Sequence, residues 1–493
     1  MTVWSHGYVA DSPYTFSYQP AQAPGHLAMV CAMAGVVWAP QPRMAMLDIG
    51  CGRGLTVNVL AAANPGWHVL GLDYNPAHIA EAQELADAAG CANAGFCEAD
   101  LAEMTDAEMD RLPELDIVTI HGVWTWVADA VRAGIVRLLA RRLKPGGLCY
   151  IGYNVQPAFG ADAALQRLFM HLAGQARGSS RARVEAALEQ VRALAATNPA
   201  QLPSTPMLRY LLDKEQRLDT AYLAHEFLTA HWRPAFHEDV CAALAPAKLE
   251  FVGSATLHEN MPDLQLDAAQ RATHDGMPPG PAREFIKDLC LPRAFRRDVF
   301  IRGLRRTDHV EALDRLVIAA CRALPEESPK LSVPVGEAEL VPAMWQPIAA
   351  ALREGPQSLH RLRHLPEERR PNPAELLAVL QGTGFVVPVL REPQVTEEAQ
   401  RFNRALFAAT LASGDREGQF ALASSAIAGG LPCAWLEMAL AVQPDILDAA
   451  PEALAARLLP HLDGEDQAEA ATLITRIRAE RIPVWRGLGL LPG

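Results

Sequence analysis

The sequence predicts a doubly wound, mostly parallel α/β sheet in its first third, followed by regions that are mainly helical. Short apolar runs such as MAMLDIG (44–50) and WHVLGLD (67–73) alternate with stretches of helical periodicity, which is the pattern of strands joined by crossover helices. A turn with three glycines directly follows the first run. Ligands on such sheets bind beyond the carboxyl ends of the strands, so we expect functional residues at that edge.

The elements of this sheet follow one another at short intervals. The helix after the second strand has a proline at its start and a glycine past its end, as helices commonly do. The predicted strands are 44–50, 67–73, 94–100, 115–123 and 148–154. The predicted helices are 55–64, 76–90 and 133–147, of which the last stops at Pro145. Together with an N-terminal cap, these elements form a predicted core domain over residues 1–157.

The chain changes character after the fifth strand. Residues 158–230 are predicted to be a helical insertion, with SSRARVEAALEQVRALAATN as its clearest helix. Two further strands, one late in 236–257 and one in 296–306, are expected to return to the sheet as an antiparallel pair within a unit spanning 231–315. Long insertions between strands are usually functional, so we expect this one to form a dimer contact or a cap over the substrate.

The last third is predicted to hold two modules behind a linker. The stretch LPEESPKLSVPVGEAE (324–339) is charged and contains prolines, as linkers often do. The order helix, helix, helix, strand over 330–395 fits a winged helix. A docking module that binds no DNA is favoured there, because the chain is acidic. Residues 396–493 are alanine-rich and are predicted to be helical.

Composition and charge exclude several classes of function. Half of the 493 residues are hydrophobic, and the formal net charge is −13. Binding nucleic acid without sequence preference needs a basic surface, so that function is excluded. No apolar run approaches the roughly 20 residues that a membrane span needs. The nine cysteines form no CxxC pair and no secretory signal is recognisable, so we expect reduced thiols and a cytoplasmic protein.

The glycine-rich turn indicates the ligand. Its pattern, Asp48-x-Gly50-x-Gly52-x-Gly54, matches neither the spacing of a dinucleotide fingerprint nor the Gly-Lys-Ser/Thr of a Walker loop. The glycines allow a sharp turn and a close approach of the backbone to a ligand. Asp48 repels a phosphate but favours an ammonium or a sulfonium. S-adenosylmethionine carries both cations and no phosphate, so the turn predicts this cofactor.

Two further positions support the same cofactor. Asp73 ends the second strand, where a carboxylate receives the ribose hydroxyls of a nucleoside. At the end of the third strand, Asp100 stands beside the expected adenine position, with Leu101 packing against the adenine face. The expected cofactor-binding residues are Asp48, Gly50, Cys51, Gly52, Gly54, Asp73, Tyr74, Asp100, Leu101 and His121.

Residues 44–154 resemble the class I S-adenosylmethionine-dependent methyltransferases, whose sheet is Rossmann-like. The segments YLAHEFLTAHWRPAFHEDVCAALAPAKLEFVGSATL and FRRDVFIRG resemble the methyltransferase regulatory domain. IHGVWTWV and GYNVQPAF are similar to the segments after strands four and five of the rickettsial protein lysine methyltransferases, which modify outer-membrane proteins. The resemblance implies a dimeric methyltransferase that acts on lysine side chains.

The acceptor side is expected after the fourth and fifth strands. A lysine acceptor must lose a proton, which aromatic walls assist by excluding water, and cation–π contacts hold the amine. HGVWTWV places His121, Trp124 and Trp126 there, and Tyr153 and Asn154 end the fifth strand. We expect Trp124 and Tyr153 to line the acceptor pocket. His121 is a candidate general base, although a histidine that shapes the loop is favoured, and Trp126 is favoured as a core residue.

Two other groups of side chains have open roles. The aromatic segment YVADSPYTFSYQPAQAPGHLAMV near the N-terminus is either a surface arm or a cover over the cofactor, with Tyr14 or Tyr18 in contact. His225, His231 and His237 recur every six residues, but six residues turn a helix by about 600°, so these histidines do not share one face. We therefore expect no metal site.

Three functions remain open from the sequence alone. The favoured one is methylation of lysine side chains of a protein substrate. The alternatives are N- or O-methylation of a small molecule and a non-catalytic scaffold, against which the intact glycine turn and Asp73 argue. No cationic residue stands in 121–126 to pair with a carboxylate, so carboxyl methylation is disfavoured. We expect a homodimer, no nucleic-acid partner and no membrane span.

Overall fold

The computed structural model describes residues 7–12, 15–202, 204–213, 215, 218–366, 370–460, 462 and 464–492. Its first part alternates helices and strands in the predicted manner. The elements are α1 (Pro24–Met33), β1 (Ala45–Ile49), α2 (Leu55–Ala63), β2 (His68–Asp73), α3 (Pro76–Ala89), β3 (Ala94–Glu98), α4 (Asp106–Met109), β4 (Leu115–His121), α5 (Asp129–Arg142) and β5 (Leu143–Asn154).

The middle part is mainly helical and contributes two more strands. Its elements are α6 (Ala163–Gln175), α7 (Ser180–Ala195), α8 (Pro206–Leu212), α9 (Thr220–Phe227), α10 (His237–Leu244), β6 (Leu249–Ser254), α11 (Pro262–Gln265), α12 (Ala268–Gly276), α13 (Pro281–Cys290) and β7 (Phe295–Arg302). Within the insertion, α6, α7, α8 and α9 share a separate apolar core, in which Phe169 stacks on Phe227 with ring centroids 4.8 Å apart.

A single seven-stranded sheet unites these two parts, in the order β3-β2-β1-β4-β5-β7-β6. β1 to β5 run parallel to one another, whereas β7 runs antiparallel to both β5 and β6. The two late strands thus complete the sheet as predicted. Helices cover both faces: Met46 of β1 packs in the same core cluster as α2, and its neighbour Leu47 packs in the cluster that contains α5. The predicted fold class is confirmed.

The junction between α5 and β5 differs from the prediction. α5 ends at Arg142 and β5 begins at Leu143, so Pro145 lies inside the strand rather than at the end of a helix. Leu143 pairs with Leu115 of β4, and the register then shifts before the regular part of the ladder. Proline has no backbone N–H to give to a ladder, so it is tolerated at such an irregular strand start.

The last part of the chain contains several small sheets among helices. Its elements are α14 (His309–Asp314), β8 (Val317–Ala320), β9 (Leu331–Val333), β10 (Gly336–Ala338), α15 (Pro342–Glu354), β11 (Gln357–Ser358), α16 (Leu359–His364), α17 (Pro373–Gly382), β12 (Val386–Val389), α18 (Glu397–Ser413), β13 (Phe420–Ser424), β14 (Gly429–Cys433), α19 (Trp435–Ala441), α20 (Pro451–Leu458) and α21 (Gly464–Gly487).

The region predicted as a winged helix has its helices in the expected order. α15, α16 and α17 precede β12, and the strands β11, β8 and β12 form a three-stranded sheet. β8 and β11 were not predicted. The stretch 324–339, predicted as a linker, contains the antiparallel hairpin of β9 and β10.

The prediction that 396–493 is helical is wrong for one buried hairpin, in which β13 pairs with β14. The hairpin packs directly on α2: a Cβ added at Gly430 would come within 2.8 Å of Cγ1 of Val59. Small side chains make this close packing possible. An alanine-rich composition fits either a helix or such a closely packed strand, so composition did not reveal the hairpin.

Candidate active site

A cavity of about 880 Å³ opens at the carboxyl ends of the parallel strands. Four parts of the chain form its walls: the N-terminal segment, the loops after β1 to β5, the helical insertion and the start of β7. Eight of the predicted site residues line it, namely Gly50, Gly52, Asp73, Tyr74, Asp100, Leu101, His121 and Asn154. The fold therefore brings together residues that are far apart in the sequence.

The glycine turn is held against the end of β2. The backbone N–H groups of Gly50 and Cys51 both donate to the carbonyl of Leu72, at 2.7 and 3.0 Å. Gly50, Gly52 and Gly54 all have positive φ, between 53° and 73°, which glycine adopts without strain. Gly52 lies on the cavity wall, so a side chain there would project from a strained backbone beside the ligand site.

Two members of the glycine motif have structural roles instead. A Cβ at Gly54 would come within 2.4 Å of Cβ of Ala82 and 2.8 Å of the Phe96 ring, so this glycine permits α2 and α3 to approach. The thiol of Cys51 faces Gly71 of β2, where an added Cβ would meet its Sγ at 2.7 Å. Neither residue lines the cavity. The packing of these two residues therefore gives no support to the prediction that both contact the cofactor.

Asp73 is the anchor of the cofactor end. Its carboxylate accepts hydrogen bonds from the backbone N–H of Gly52 at 2.9 Å and of Asn75 at 2.8 Å. Nδ1 of His78 lies 3.3 Å from the same carboxylate. Asp73 thus fixes the glycine turn and also presents a carboxylate to the cavity, where ribose hydroxyls can donate to it.

Asp48 lies behind the turn rather than on the cavity wall, which contradicts the predicted direct contact. It is buried, and its carboxylate accepts hydrogen bonds from Thr119 at 2.7 Å and Gln22 at 3.4 Å. Burial, together with the charge of Asp73, raises the pKa of Asp48 to about 7, against the opposing effect of the Thr119 hydrogen bond. Any effect of Asp48 on a cationic ligand acts through space.

The N-terminal segment covers the cofactor end, through a residue other than those predicted. Tyr8 lines the cavity; its hydroxyl accepts from the backbone N–H of Ala128 at 3.1 Å, and its ring lies 5.8 Å from that of Tyr74. Tyr18 is buried and accepts a hydrogen bond from Gly430 in the C-terminal hairpin, so its predicted contact with the cofactor is wrong. Tyr14 lies outside the described residues.

His121 lines the cavity but is poorly suited to be a base. Its Nδ1 lies 2.8 Å from the hydroxyl of Tyr150, and its ring lies 5.3 Å from that of Phe295. Burial and the charge of Arg297 lower the pKa of His121 to about 3. An imidazole with this pKa is too weak a base to deprotonate an ammonium efficiently, which agrees with the role in shaping the loop.

The two aromatic residues predicted for the acceptor pocket lie in the core instead. Trp124 is buried among apolar side chains, and its carbonyl accepts from Arg132 at 2.8 Å. Tyr153 is fully buried and donates to Asp298 at 2.7 Å; burial and the Asp298 charge raise its pKa well above the usual value. Trp126, predicted as a core residue, lines the cavity.

A buried carboxylate that the sequence analysis missed stands at the other end of the cavity. Oε1 of Glu226 accepts from Nδ2 of Asn154 at 2.8 Å and from Nε1 of Trp232 at 3.0 Å. Burial raises the pKa of Glu226 to about 7, although these donors oppose the shift. The sequence offered one signal for Glu226: it is an acid on the apolar face of an amphipathic helix. Leu223 and Phe227 lie on the same face and are also buried.

Aromatic side chains line the cavity here together with polar groups, and Phe159 packs against Trp232, a donor to Glu226, with ring centroids 5.9 Å apart. Arg297 of β7 also lines the cavity, with its guanidinium 5.3 Å from the Phe295 ring. The absence of a cation in 121–126 is therefore no argument against a carboxylate ligand, because β7 supplies one. The rings of this end belong to Trp126, Phe159, Tyr222 and Phe295.

The three histidines considered for a metal are dispersed. His237 bonds to Asp298 in the core at 2.9 Å, whereas His225 bonds to the carbonyl of Ser12 at 3.0 Å, and His231 packs against the ring of Tyr8. Within the described ranges, no group of three or more His, Cys, Asp or Glu side chains could hold a metal ion. Within the same residues, no helix is long and apolar enough to cross a membrane.

The cofactor end fits a nucleoside without phosphate. Asp73 and Asp100 line this end, and Asp48 lies behind it. Among the described residues that line the cavity, at either end, Arg297 is the only lysine or arginine. A pyrophosphate would require more cationic or backbone donors than this end offers, whereas carboxylates suit ribose hydroxyls and a sulfonium.

Comparisons with known proteins agree with this geometry. A family model described as "Methyltransferase domain" matches residues 40–198, and one described as "Predicted methyltransferase regulatory domain" matches residues 219–302. An uncharacterised protein of Synechocystis is 29% identical over 423 residues, which cover 84% of this chain and 83% of that protein. A trans-aconitate 2-methyltransferase of Methylobacterium nodulans is 30% identical over 130 residues, which cover 26% of this chain and 44% of that protein.

Among solved structures, PKMT2 from Rickettsia typhi in complex with AdoHcy is similar along the whole chain. The match covers 98% of this chain and 100% of that one, with a TM-score of 0.68 and 15% sequence identity. At this identity the likeness shows a shared fold, which includes the C-terminal modules. The matches identify residues 40–198 as a methyltransferase domain and residues 219–302 as a methyltransferase regulatory domain, and the enzyme is an S-adenosylmethionine-dependent methyltransferase.

Proposed function

We propose that this enzyme methylates lysine side chains of a protein substrate. The observation that carries the proposal is the acceptor end of the cavity, by which we mean the part walled by Trp126, Phe159, Tyr222 and Phe295 and closed by Glu226. Aromatic walls suit the aliphatic stem of a lysine, and a buried carboxylate suits its amine. S-adenosylmethionine, when bound, supplies the electrophilic methyl group.

The acceptor end can both hold an amine and exclude water. Ring faces attract an ammonium or its methylated product, and they remove the hydration that stabilises the charged form. The helical insertion supplies Tyr222 and Glu226 to this wall, so it acts as a cap over the substrate in this proposal. The fold shared with PKMT2 over the whole chain is in keeping with it.

A small carboxylate is the second candidate acceptor. Arg297 lines the cavity and could pair with a carboxylate, and 130 residues of the chain are 30% identical to a trans-aconitate 2-methyltransferase. Lysine is favoured because Glu226 would repel an anionic substrate at the same end of the cavity. The two candidates differ in the class of molecule that becomes labelled.

Transfer of a radiolabelled methyl group distinguishes these candidates. The protein is incubated with methyl-labelled S-adenosylmethionine and a whole-cell lysate, and the label in precipitated protein and in small molecules is counted. We expect label in protein, released as methyl-lysines on acid hydrolysis, and none with the Asp73→Ala variant. Label confined to small molecules, or released from protein by mild base as methanol, would refute the lysine acceptor.

The proposal also includes a cytoplasmic homodimer. All nine cysteines are free, as in a reducing compartment. Leu194 and Tyr210 of the insertion are 39% and 38% exposed and offer apolar surface for a second copy. Light scattering of the full chain tests the dimer, and we expect Leu194→Asp to shift the mass towards the monomer.

A further inference from the structure

We propose that Glu226 is the group that accepts the proton of the acceptor ammonium, an inference that rests on the proposed lysine substrate. A lysine amine has a pKa of about 10.4, so only roughly one molecule in 2,500 is neutral at pH 7. The nucleophile must be the neutral amine. A carboxylate beside the amine can take up the proton within the cavity.

The geometry around Glu226 holds its carboxylate in a fixed position. Asn154 and Trp232 both donate to Oε1, so neither of them occupies Oε2. The three donors come from different places: Asn154 ends β5, Trp232 follows the insertion, and Tyr222 donates to the carboxyl group from one turn earlier on α9. Glu226 itself is only 2% exposed, yet it lines the cavity.

The proton transfer balances with the methyl transfer. One N–H bond of the ammonium breaks and its proton binds a Glu226 oxygen, which leaves a lone pair on the nitrogen. That lone pair forms the new N–C bond while the C–S bond of the sulfonium breaks towards sulfur. The products are a methylated ammonium, a neutral thioether and a neutral Glu226, so the total charge is unchanged.

The proton can leave Glu226 on the side of α9. Tyr222 donates to the carboxyl group, and its side chain is 37% exposed. In this proposal, water that reaches the partly exposed Tyr222 carries the proton of Glu226 away after each turnover. The other ionisable groups that line the cavity near this end are His121, His225, His231 and Arg297, and the charge of Asp162 raises the pKa of Glu226 further.

The titration of Glu226 can be measured without any substrate. Infrared difference spectra between wild type and Glu226→Gln, both with S-adenosylhomocysteine, report the carboxyl group as a function of pH. We expect a protonated-carboxyl band that disappears as pH rises through about 7. A group that stays ionised down to pH 5 would refute the proposal. The matched control is Glu238→Gln, because Glu238 is an exposed acid on α10.

Rates as a function of pH test the role itself, with the lysate protein fraction as the probe. Glu226→Gln should lower the rate at pH 7 by about 100-fold and recover towards pH 10, where the amine loses its proton to solvent, whereas Glu238→Gln should match wild type. If Glu226→Gln does not fold, Glu226→Asp should keep the rise near neutral pH at a lower rate. A wild-type rate and pH profile in Glu226→Gln would refute the role of Glu226, whereas absence of protein label in wild type would refute the lysine substrate.

Discussion

The two ends of the active-site cavity differ in how the chain builds them. The cofactor end comes from consecutive loops after β1, β2 and β3, and Asp73 ties the glycine turn to the end of β2. The acceptor end comes from four distant segments, with Trp126 after β4, Asn154 at the end of β5, Glu226 on α9 and Phe295 at the start of β7. One end is therefore a local feature of the sheet, and the other exists only once the insertion and the regulatory domain have folded onto it.

This difference predicts which substitutions weaken cofactor binding and which reduce methyl transfer. A change at the cofactor end should weaken the cofactor directly. A change at the acceptor end should leave cofactor binding intact and reduce transfer, provided that it spares the core behind the wall. The tryptophans at 124 and 126 provide the strongest contrast, because one lies in the core and the other on the wall.

Trp124→Ala should have the largest effect, and on stability rather than on chemistry. Removing this buried indole should lower the free energy of unfolding by about 4 kcal/mol. Trp126→Ala should cost less stability and lower methyl transfer instead. Urea unfolding followed by circular dichroism measures the first effect, and the labelling assay measures the second. Equal destabilisation by the two substitutions would contradict the assignment of Trp124 to the core and Trp126 to the wall.

Asp73→Ala should strongly weaken cofactor binding. The substitution removes the acceptor for the Gly52 and Asn75 N–H groups and the cavity-lining carboxylate that we propose to receive the ribose hydroxyls. We expect calorimetry to show a loss of affinity for S-adenosylhomocysteine of about 100-fold, equivalent to about 2.7 kcal/mol. Glu84→Ala, an exposed acid on α3, serves as the control. Unchanged affinity in a folded Asp73→Ala protein would remove the cofactor assignment.

Tyr8→Ala should have an intermediate effect, because the N-terminal segment closes over the cofactor end. The substitution removes the ring contact with Tyr74 and the hydrogen bond from Ala128. The affinity for S-adenosylhomocysteine should fall about tenfold, in line with the value of one aromatic contact. Tyr8→Phe should keep most of the affinity. If both variants bind like wild type, the segment does not cover the bound cofactor.

Asp48 should produce the smallest effect, and one that depends on pH. Because burial raises its pKa to about 7, above the unfolded value, Asp48 gains its charge only as pH rises through neutrality. The preference for cationic S-adenosylmethionine over neutral S-adenosylhomocysteine should therefore increase about threefold between pH 6 and 8. Asp48→Asn should show no such increase. As pH rises towards 7, the carboxyl of Asp48 ionises in the unfolded chain but keeps its proton in the folded one, so stability falls over that range and Asp48→Asn should lose less of it.

The cofactor end was largely predictable from the sequence because its determinants are local. The turn requires glycines with positive φ, and the ribose requires a carboxylate at the end of a strand. These residues stand close together in the chain. The prediction placed Asp48, Cys51 and Gly54 in contact with the ligand. In the structure these residues support the turn from behind. A motif shows which residues build a turn, but not which of them face the cavity.

The acceptor end was predicted less well because its determinants are tertiary. Trp124 and Trp126 are two residues apart in a loop, and only packing against α5 decides which one becomes core. Glu226 and Arg297 come from segments far from the sheet loops in sequence. The buried hairpin at residues 420–433 was missed for the same reason. Its small residues are explained only by their close packing on α2.

In the proposed reaction, one continuous cavity serves both the cofactor and an amine acceptor. The affinity of a bisubstrate compound tests this arrangement: the compound is an S-adenosylhomocysteine analogue in which nitrogen replaces sulfur and carries an aminoalkyl arm. We expect wild type to bind it at least about tenfold more tightly than S-adenosylhomocysteine. Glu226→Gln should lose this gain while binding S-adenosylhomocysteine normally. An arm that adds no affinity in wild type would show that the cavity does not serve both molecules.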